Sequence, residues 1–169
     1  MPYILLYLGA IVAANLIITV VGPTATIVTA FVFIGLDLTV RDYLHEAWQG
    51  KGLVWKMGLL IAAGSIISWL LNKDAENIAK ASFIAFASAG IADALIFQLL
   101  KSKTRFLKVN GSNLVSSGVD SLVFPTLAFG QLLPFIVLGQ FLAKVFGGAI
   151  WFFIISAFKN RFAANRSAQ

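Results

Sequence analysis

Three aspartates and one lysine lie inside long apolar segments of the sequence. They are Asp37, Asp93, Asp120 and Lys144. Even on the lenient insertion scales, a charge at the centre of a bilayer costs about 2.5–3.5 kcal/mol, so each of these residues needs a partner, a water-filled cavity or a function. A carboxylate in such a place can accept two hydrogen bonds from the adjacent N–H groups of a flat, guanine-like ring. These residues are therefore the first candidates for a binding site.

Two of the aspartates begin similar short sequences. Asp93-Ala94-Leu95-Ile96-Phe97 and Asp120-Ser121-Leu122-Val123-Phe124 share the pattern Asp-small-Leu-aliphatic-Phe, and small residues precede each of them. A separation of four residues places each Asp and its Phe on one helix face, where the aromatic ring can stack on a flat ligand. Small residues also serve close helix packing. The pair of elements therefore predicts either a helix contact or two halves of one pocket, as in transporters built from repeats.

Six apolar segments can position these residues. The chain is 59% hydrophobic and only 12% charged, whereas a soluble domain carries roughly 25% charge. About 20 helical residues cross a hydrocarbon core of about 30 Å. The predicted spans cover residues 3–21, 24–44, 53–71, 77–100, 112–130 and 133–158. The sequence thus predicts one all-α integral membrane domain over residues 1–169, a bundle of about six transmembrane helices. A re-entrant hairpin is the alternative for the last two segments, and a basic loop is expected between the fourth and the fifth.

The positive charges predict the orientation of the spans. Cytoplasmic loops retain Lys and Arg, whereas translocated loops lose them. With six spans, ten basic residues fall on the side of both termini, and Lys73 and Lys80 fall on the other. The ten are Arg41, Lys51, Lys56, Lys101, Lys103, Arg105, Lys108, Lys159, Arg161 and Arg166. Both termini are therefore predicted to be cytoplasmic. The same bias explains the net charge of +6, so we predict no binding of nucleic acid.

Residue counting places the aspartates at a similar depth. At 1.5 Å per residue, Asp37 and Asp93 lie about 12 Å, and Asp120 about 15 Å, from the cytoplasmic boundary. Such a layer should line the bundle interior. Structural pairing is the competing explanation, since Asp37 could pair with Arg41 one turn away, and either Asp93 or Asp120 could pair with Lys144.

Other ionisable residues give weaker signals. Asp42, His45 and Glu46 lie at the predicted cytoplasmic end of the second span, where water solvates them. The chain has one His and no Cys, so we predict neither a metal site nor any other cofactor. No nucleophile and base accompany the aspartates, and an enzyme is not predicted, although the Asp93 and Asp120 carboxylates leave an intramembrane enzyme as a remote alternative.

The fourth and fifth spans resemble a known family. The runs from Ala81-Ser82-Phe83 to Phe97 and from Asn113 to Phe124, joined by a basic segment, look like the vitamin uptake transporter family, also called queuosine precursor transporters. Ala14-Asn15 is similar to an Ala-Asn element of that family. The family pattern Ser-Gln-x-x-Asp-Thr-x-x-Phe is changed here at its Gln, which this sequence lacks, and at Ser121, which replaces Thr. The resemblance implies import of a 7-deazaguanine, such as 7-cyano-7-deazaguanine or its aminomethyl analogue.

Together these signals predict a multi-pass transporter of the inner (cytoplasmic) membrane for a purine-like base. The predicted substrate-binding residues are Asp93, Asp120, Phe97, Phe124, Asn15, Asn113 and Ser117. Asp37 and Arg41 are the predicted gating or coupling pair. A homodimer is left open. The nearest alternative function is the substrate-binding component of an energy-coupling-factor vitamin importer, which would need partner ATPases because the chain has no nucleotide-binding loop. A structural or assembly role is a further alternative function.

Overall fold

The fold is a bundle of α-helices. The structure, a computed structural model, describes residues 2–34, 36–37, 40, 44, 48 and 52–167. Within these residues, the regular elements are all helices and no strand occurs, which confirms the predicted all-α class. The helices are α1 (Pro2–Val21), α2 (starting as Ala25–Thr29 and continuing as a π-helical turn, Ala30–Ile34), α3 (Leu53–Leu71), α4 (Glu76–Leu99), α5 (Arg105–Phe129) and α6 (Pro134–Ser167). Residues 36, 37, 40, 44 and 48 are also helical.

The start of α5 differs from its prediction. The sequence suggests a basic loop followed by a span from residue 112, whereas the helix begins at Arg105. Thr104 caps it, because its side-chain oxygen accepts the backbone N–H of Leu107 at 3.4 Å, and such a cap satisfies a donor that the first turn leaves unpaired. The basic residues 105 and 108 therefore lie in the first turns of α5, and the connection to α4 shortens to residues 100–104.

Helices α5 and α6 are separated by a sharp turn. Gly130 ends α5 with a φ of +68°, a left-handed conformation that glycine adopts without steric cost. Pro134 then begins α6, at a position where the missing proline N–H is not needed by the helix. The chain can therefore reverse within four residues.

Small residues bring the helices into close contact. The most extensive packing is between α4 and α5, and α4 buries Ala81, Ser82, Ala85 and Ala89. Helix α6 packs against the π-helical turn of α2. A Cβ atom on Gly147 would lie 2.6 Å from the backbone oxygen of Phe31, so only glycine permits this approach.

Polar side chains are buried and large apolar ones are exposed. Val20, Leu99 and Phe135 are 78%, 76% and 89% exposed. The buried polar side chains are Asn15, Thr26, Thr29, Asp37, Ser65, Ser68, Ser82, Ser112, Ser116, Ser117, Asp120, Ser121, Gln140 and Lys144. Water-soluble proteins usually bury apolar residues and expose charged ones. The bundle therefore buries these polar side chains among an apolar core that includes Tyr7, Ile11 and Ile78, beneath a surface rich in apolar residues.

Among the residues that the structure describes, two helical segments are long and apolar enough to cross a membrane, judged by length and composition alone. They are Pro2–Val21, with a mean hydropathy of 2.5, and Lys73–Leu99, with 1.6. Shorter apolar helices cover Ala25–Ile34, Trp55–Leu71 and Pro134–Gly147. These criteria also accept a buried helix or a signal sequence, so on their own they give weak support for a membrane bundle.

Candidate functional site

A small cavity lined by both apolar and polar side chains lies among the helices of the bundle, and we call it the central cavity. Its free volume is about 20 Å³, which is room for one water molecule. Helices α1, α2, α4, α5 and α6 all contribute to its wall. The lining residues are Ala14, Asn15, Ile18, Thr26, Thr29, Ala30, Ile34, Ser82, Phe86, Asp120, Phe124, Gln140 and Lys144.

A buried ion pair dominates the central cavity. The Nζ of Lys144 on α6 donates to Oδ2 of Asp120 on α5. It also lies within hydrogen-bond distance of Ser121 Oγ, at 3.0 Å, and of Gln140 Oε1, at 3.3 Å. A lysine ammonium has three donors, and here each donor has an acceptor. Lys144 is 2% exposed, and burying a charge so deeply is tolerable only with this degree of pairing.

Two backbone features of α5 and α6 create this arrangement. Gln140 and Lys144 are one turn apart, so both reach the same side of α6. On α5, Pro125 lies inside the helix and has no N–H to give to the carbonyl of Ser121 one turn earlier. The carbonyl oxygen of Ser121 therefore lacks its usual helical donor, immediately beside the Asp120 carboxylate.

Asn15 on α1 is held in a defined orientation. Its Nδ2 donates to Ser68 Oγ at 3.2 Å, and the Ser68 hydroxyl donates in turn to the Gly64 carbonyl at 2.7 Å. Because the single hydroxyl hydrogen goes to Gly64, Ser68 can only accept from Asn15, and the amide must present its nitrogen to α3. The amide oxygen is then the acceptor that Asn15 can offer to a ligand in the cavity.

Aromatic rings form part of the cavity wall. Phe124 is 7% exposed and lies one turn after Asp120, so the predicted Asp-Phe spacing does bring both side chains to the cavity. Phe86 of α4 also lines it. The Phe124 ring makes an edge-to-face contact with Phe129, with 6.5 Å between ring centroids and 81° between planes. This contact fixes the orientation of the Phe124 ring.

The equivalent element on α4 lies elsewhere. Asp93 and Phe97 are not among the cavity-lining residues, and Phe97 is 42% exposed. The Oδ1 atom of Asp93 is buried, and none of the described residues hydrogen bonds to it. The two similar sequences therefore occupy different environments, and of the two aspartates that could pair with Lys144, the structure selects Asp120.

The remaining predicted site residues lie on α5 and in the segment after α2. Ser117 is buried and Asn113 is half-buried, and their spacing from Asp120 places both on the face of Asp120, towards the start of α5. Neither lines the central cavity. Asp37, a helical residue after α2, is 1% exposed and is also absent from the lining. Arg41, Asp42, His45 and Glu46 lie outside the described residues.

Several site residues were missing from the sequence interpretation. Gln140 and Ser82 line the cavity, and Ser121 accepts from Lys144. Gln140 had a readable signal, because it lies four residues before Lys144. Ser82 has none, since the face that α4 turns inward depends on tertiary packing.

The ion pair should contribute to the stability of the fold. The substitution Lys144→Met leaves the buried Asp120 carboxylate without its partner, so the free energy of unfolding should fall by about 3–5 kcal/mol. The double variant Asp120→Asn/Lys144→Met removes both charges and should return close to the wild-type value. Thermal unfolding in detergent micelles measures this as a double-mutant cycle. Lys80→Met, which removes an exposed cation, is the control and should change little. Additive effects of the two cavity substitutions would contradict the pairing.

Comparison with known protein families identifies the family of the chain. A model described as "Putative vitamin uptake transporter" matches residues 4–158, a range that contains every cavity-lining residue. Comparison with curated proteins and with solved structures found no match. The match over nearly the whole chain confirms the resemblance carried by α4 and α5, and the chain belongs to this family of vitamin uptake transporters.

Proposed function

We propose that the chain imports a queuosine precursor, 7-cyano-7-deazaguanine or 7-aminomethyl-7-deazaguanine, or a similar purine-like base. Membership of a transporter family gives the general activity and a membrane location. The observation that carries the proposed substrate class is Asp120, a carboxylate in a central cavity that also has aromatic walls. The chain acts here as a carrier of a flat base rather than as an enzyme.

The ring edge of such a base matches the acceptors of the cavity. A guanine-like edge offers two adjacent N–H donors, which a carboxylate can receive together. The Asn15 amide oxygen supplies a further acceptor, and Phe86 and Phe124 supply apolar faces for stacking. Pairing the buried donors of the ligand with these acceptors favours tight and selective binding of a polar ring.

The structure corresponds to a closed state in this proposal. Sites for small organic ligands usually have about 300–1,000 Å³, whereas the central cavity has about 20 Å³. Substrate therefore binds only after α6 moves away from α5. In that movement Lys144 separates from Asp120, and the N–H groups of the base donate to the Asp120 carboxylate instead. Between transport cycles the ion pair keeps Asp120 paired and the cavity shut.

Asp93 is the second carboxylate of the proposed site. Its Oδ1 is buried and accepts no hydrogen bond from the part of the chain that the structure describes, which is unfavourable for a carboxylate unless another state of the protein uses it. We propose that Phe97, Asn113 and Ser117 contact the substrate in that state. Asp37 and Arg41 are proposed to act in gating or coupling.

We further propose that all six helices cross the inner membrane with both termini in the cytoplasm. The apolar exterior supports this, as does burial of the polar residues of α5. Reporter fusions test it. A fluorescent protein after Gln169 should fluoresce, and alkaline phosphatase inserted after Asp74 should be active, because Lys73 and Lys80 lie on the side with few basic residues. Phosphatase activity at the C-terminus would contradict the orientation.

Uptake measurements test the function. In bacterial cells that can neither make nor import queuosine precursors, expression of the chain should restore accumulation of labelled 7-cyano-7-deazaguanine. Asp120→Asn and Asp93→Asn should each lower uptake by roughly tenfold or more, because each loses a charge-assisted acceptor.

The matched control for these variants is Asp74→Asn, the same change at an exposed position between α3 and α4, which should transport normally. Immunoblots of isolated membranes separate loss of transport from loss of protein. Normal uptake by both Asp120→Asn and Asp93→Asn, with each protein at wild-type abundance, would exclude the proposed site. Uptake of plain purines but not of 7-deazaguanines would exclude the substrate.

A further inference from the structure

A second, larger cavity lies on the outside of the bundle between α3 and α4, and we call it the lateral groove. Its volume is about 490 Å³, and it opens outward. Its lining includes Ser65, Ile66 and Trp69 of α3 and Lys80, Phe83 and Ile84 of α4. It shares no lining residue with the central cavity, so helix α4 separates the two.

The lateral groove has the length of one membrane leaflet. Ser65 lies six residues before the end of α3 and Phe83 seven residues after the start of α4, so both are about 9–10 Å from the short connection between these helices. Ile84 extends the groove to about 12 Å. Half of a hydrocarbon core is about 15 Å. An acyl chain from a single leaflet therefore fits along this depth.

A polar atom lies unsatisfied beside this apolar groove. Ser65 is 8% exposed, and its Oγ is buried and has no hydrogen-bond partner among the described residues. Serine in a helix commonly donates to the carbonyl four residues earlier, as Ser68 does to Gly64. Ser65 makes no such bond, and its hydroxyl can donate to an occupant of the groove. A buried hydroxyl without a partner is otherwise unfavourable.

The outer end of the groove carries charges of both signs. Lys80 and Glu76 form an exposed ion pair one turn apart, and both line the groove. Trp69, which also lines it, is covered by the Lys73 ammonium at 3.5 Å from the ring centroid. Tryptophan and lysine are typical of the level of lipid headgroups. The polar end therefore offers N–H donors for a phosphate and one carboxylate for a cation.

We propose that the lateral groove binds a phospholipid with a zwitterionic, primary-amine headgroup, such as phosphatidylethanolamine. The Lys80 ammonium pairs with the lipid phosphate, and the Glu76 carboxylate accepts from the lipid ammonium. Ser65 donates to an ester carbonyl below the headgroup, and one acyl chain packs on Ile66, Phe83 and Ile84. The Glu76 carboxylate repels an anionic headgroup but accepts from the ammonium of a zwitterionic one. A choline headgroup has no N–H to give to Glu76.

Native mass spectrometry of the purified full chain tests this site. Micelles are supplied with equal amounts of phosphatidylethanolamine, phosphatidylcholine and phosphatidylglycerol of the same acyl composition. We expect phosphatidylethanolamine to be retained at least about tenfold more strongly than the other two, because it alone completes the charge-assisted bonds. Glu76→Gln should remove the preference over phosphatidylcholine.

Two matched variants place the lipid in the groove. Ser65→Phe fills the groove and should abolish retention, whereas Ala87→Phe, the same new side chain at an exposed position of α4 outside the groove, should leave it unchanged. Equal retention of the three lipids, or unchanged retention in Ser65→Phe, would overturn the proposal. So would competition between 7-cyano-7-deazaguanine and the lipid, since the groove would then be a substrate site.

Discussion

The buried contact between Asp120 and Lys144 is the constraint on which the interior of the bundle depends. Neither charge could remain in this environment alone, because an uncompensated buried ion is strongly destabilising. The pair also joins α5 to α6, while Gly147 lets α6 approach the backbone of α2. In the proposed closed state, this ion pair and the glycine packing together hold α6 against its neighbours. An interaction of this kind holds one state firmly but can be exchanged when another set of N–H donors arrives.

The asymmetry between the two Asp-Phe elements gives the proposed mechanism its direction. Asp120 is paired and lines the cavity with Phe124, while Asp93 has a buried oxygen to which none of the described residues hydrogen bonds. If the two elements are halves of one site, only one half is assembled in the closed state. Because α4 and α5 pack most extensively against each other, α6 is the helix proposed to move. The proposed opening therefore separates α6 from a rigid α4–α5 pair.

The positions of the helices could be predicted from the sequence because apolar length and breaker residues set them locally. The i, i+4 spacing also placed Asp120 and Phe124 on one wall. The partner of Lys144 could not be predicted, since residue counting gives Asp93 and Asp120 nearly the same depth and contains no information on helix rotation. The cap at Thr104 extended α5 into a segment that its charges suggested was a loop. The closed state of the cavity and the lateral groove both arise from packing between distant segments, which periodicity alone does not encode.

Direct binding tests the central claim that Asp120 receives the amidine edge of a 7-deazaguanine. Isothermal titration of the purified chain should give saturable binding of 7-cyano-7-deazaguanine at one site. The analogue without the exocyclic amine should bind at least about tenfold more weakly, because one carboxylate oxygen loses its donor, and Asp120→Asn should bind both ligands weakly and alike. Equal affinity of the wild-type chain for the two ligands, or full affinity in Asp120→Asn, would contradict the account.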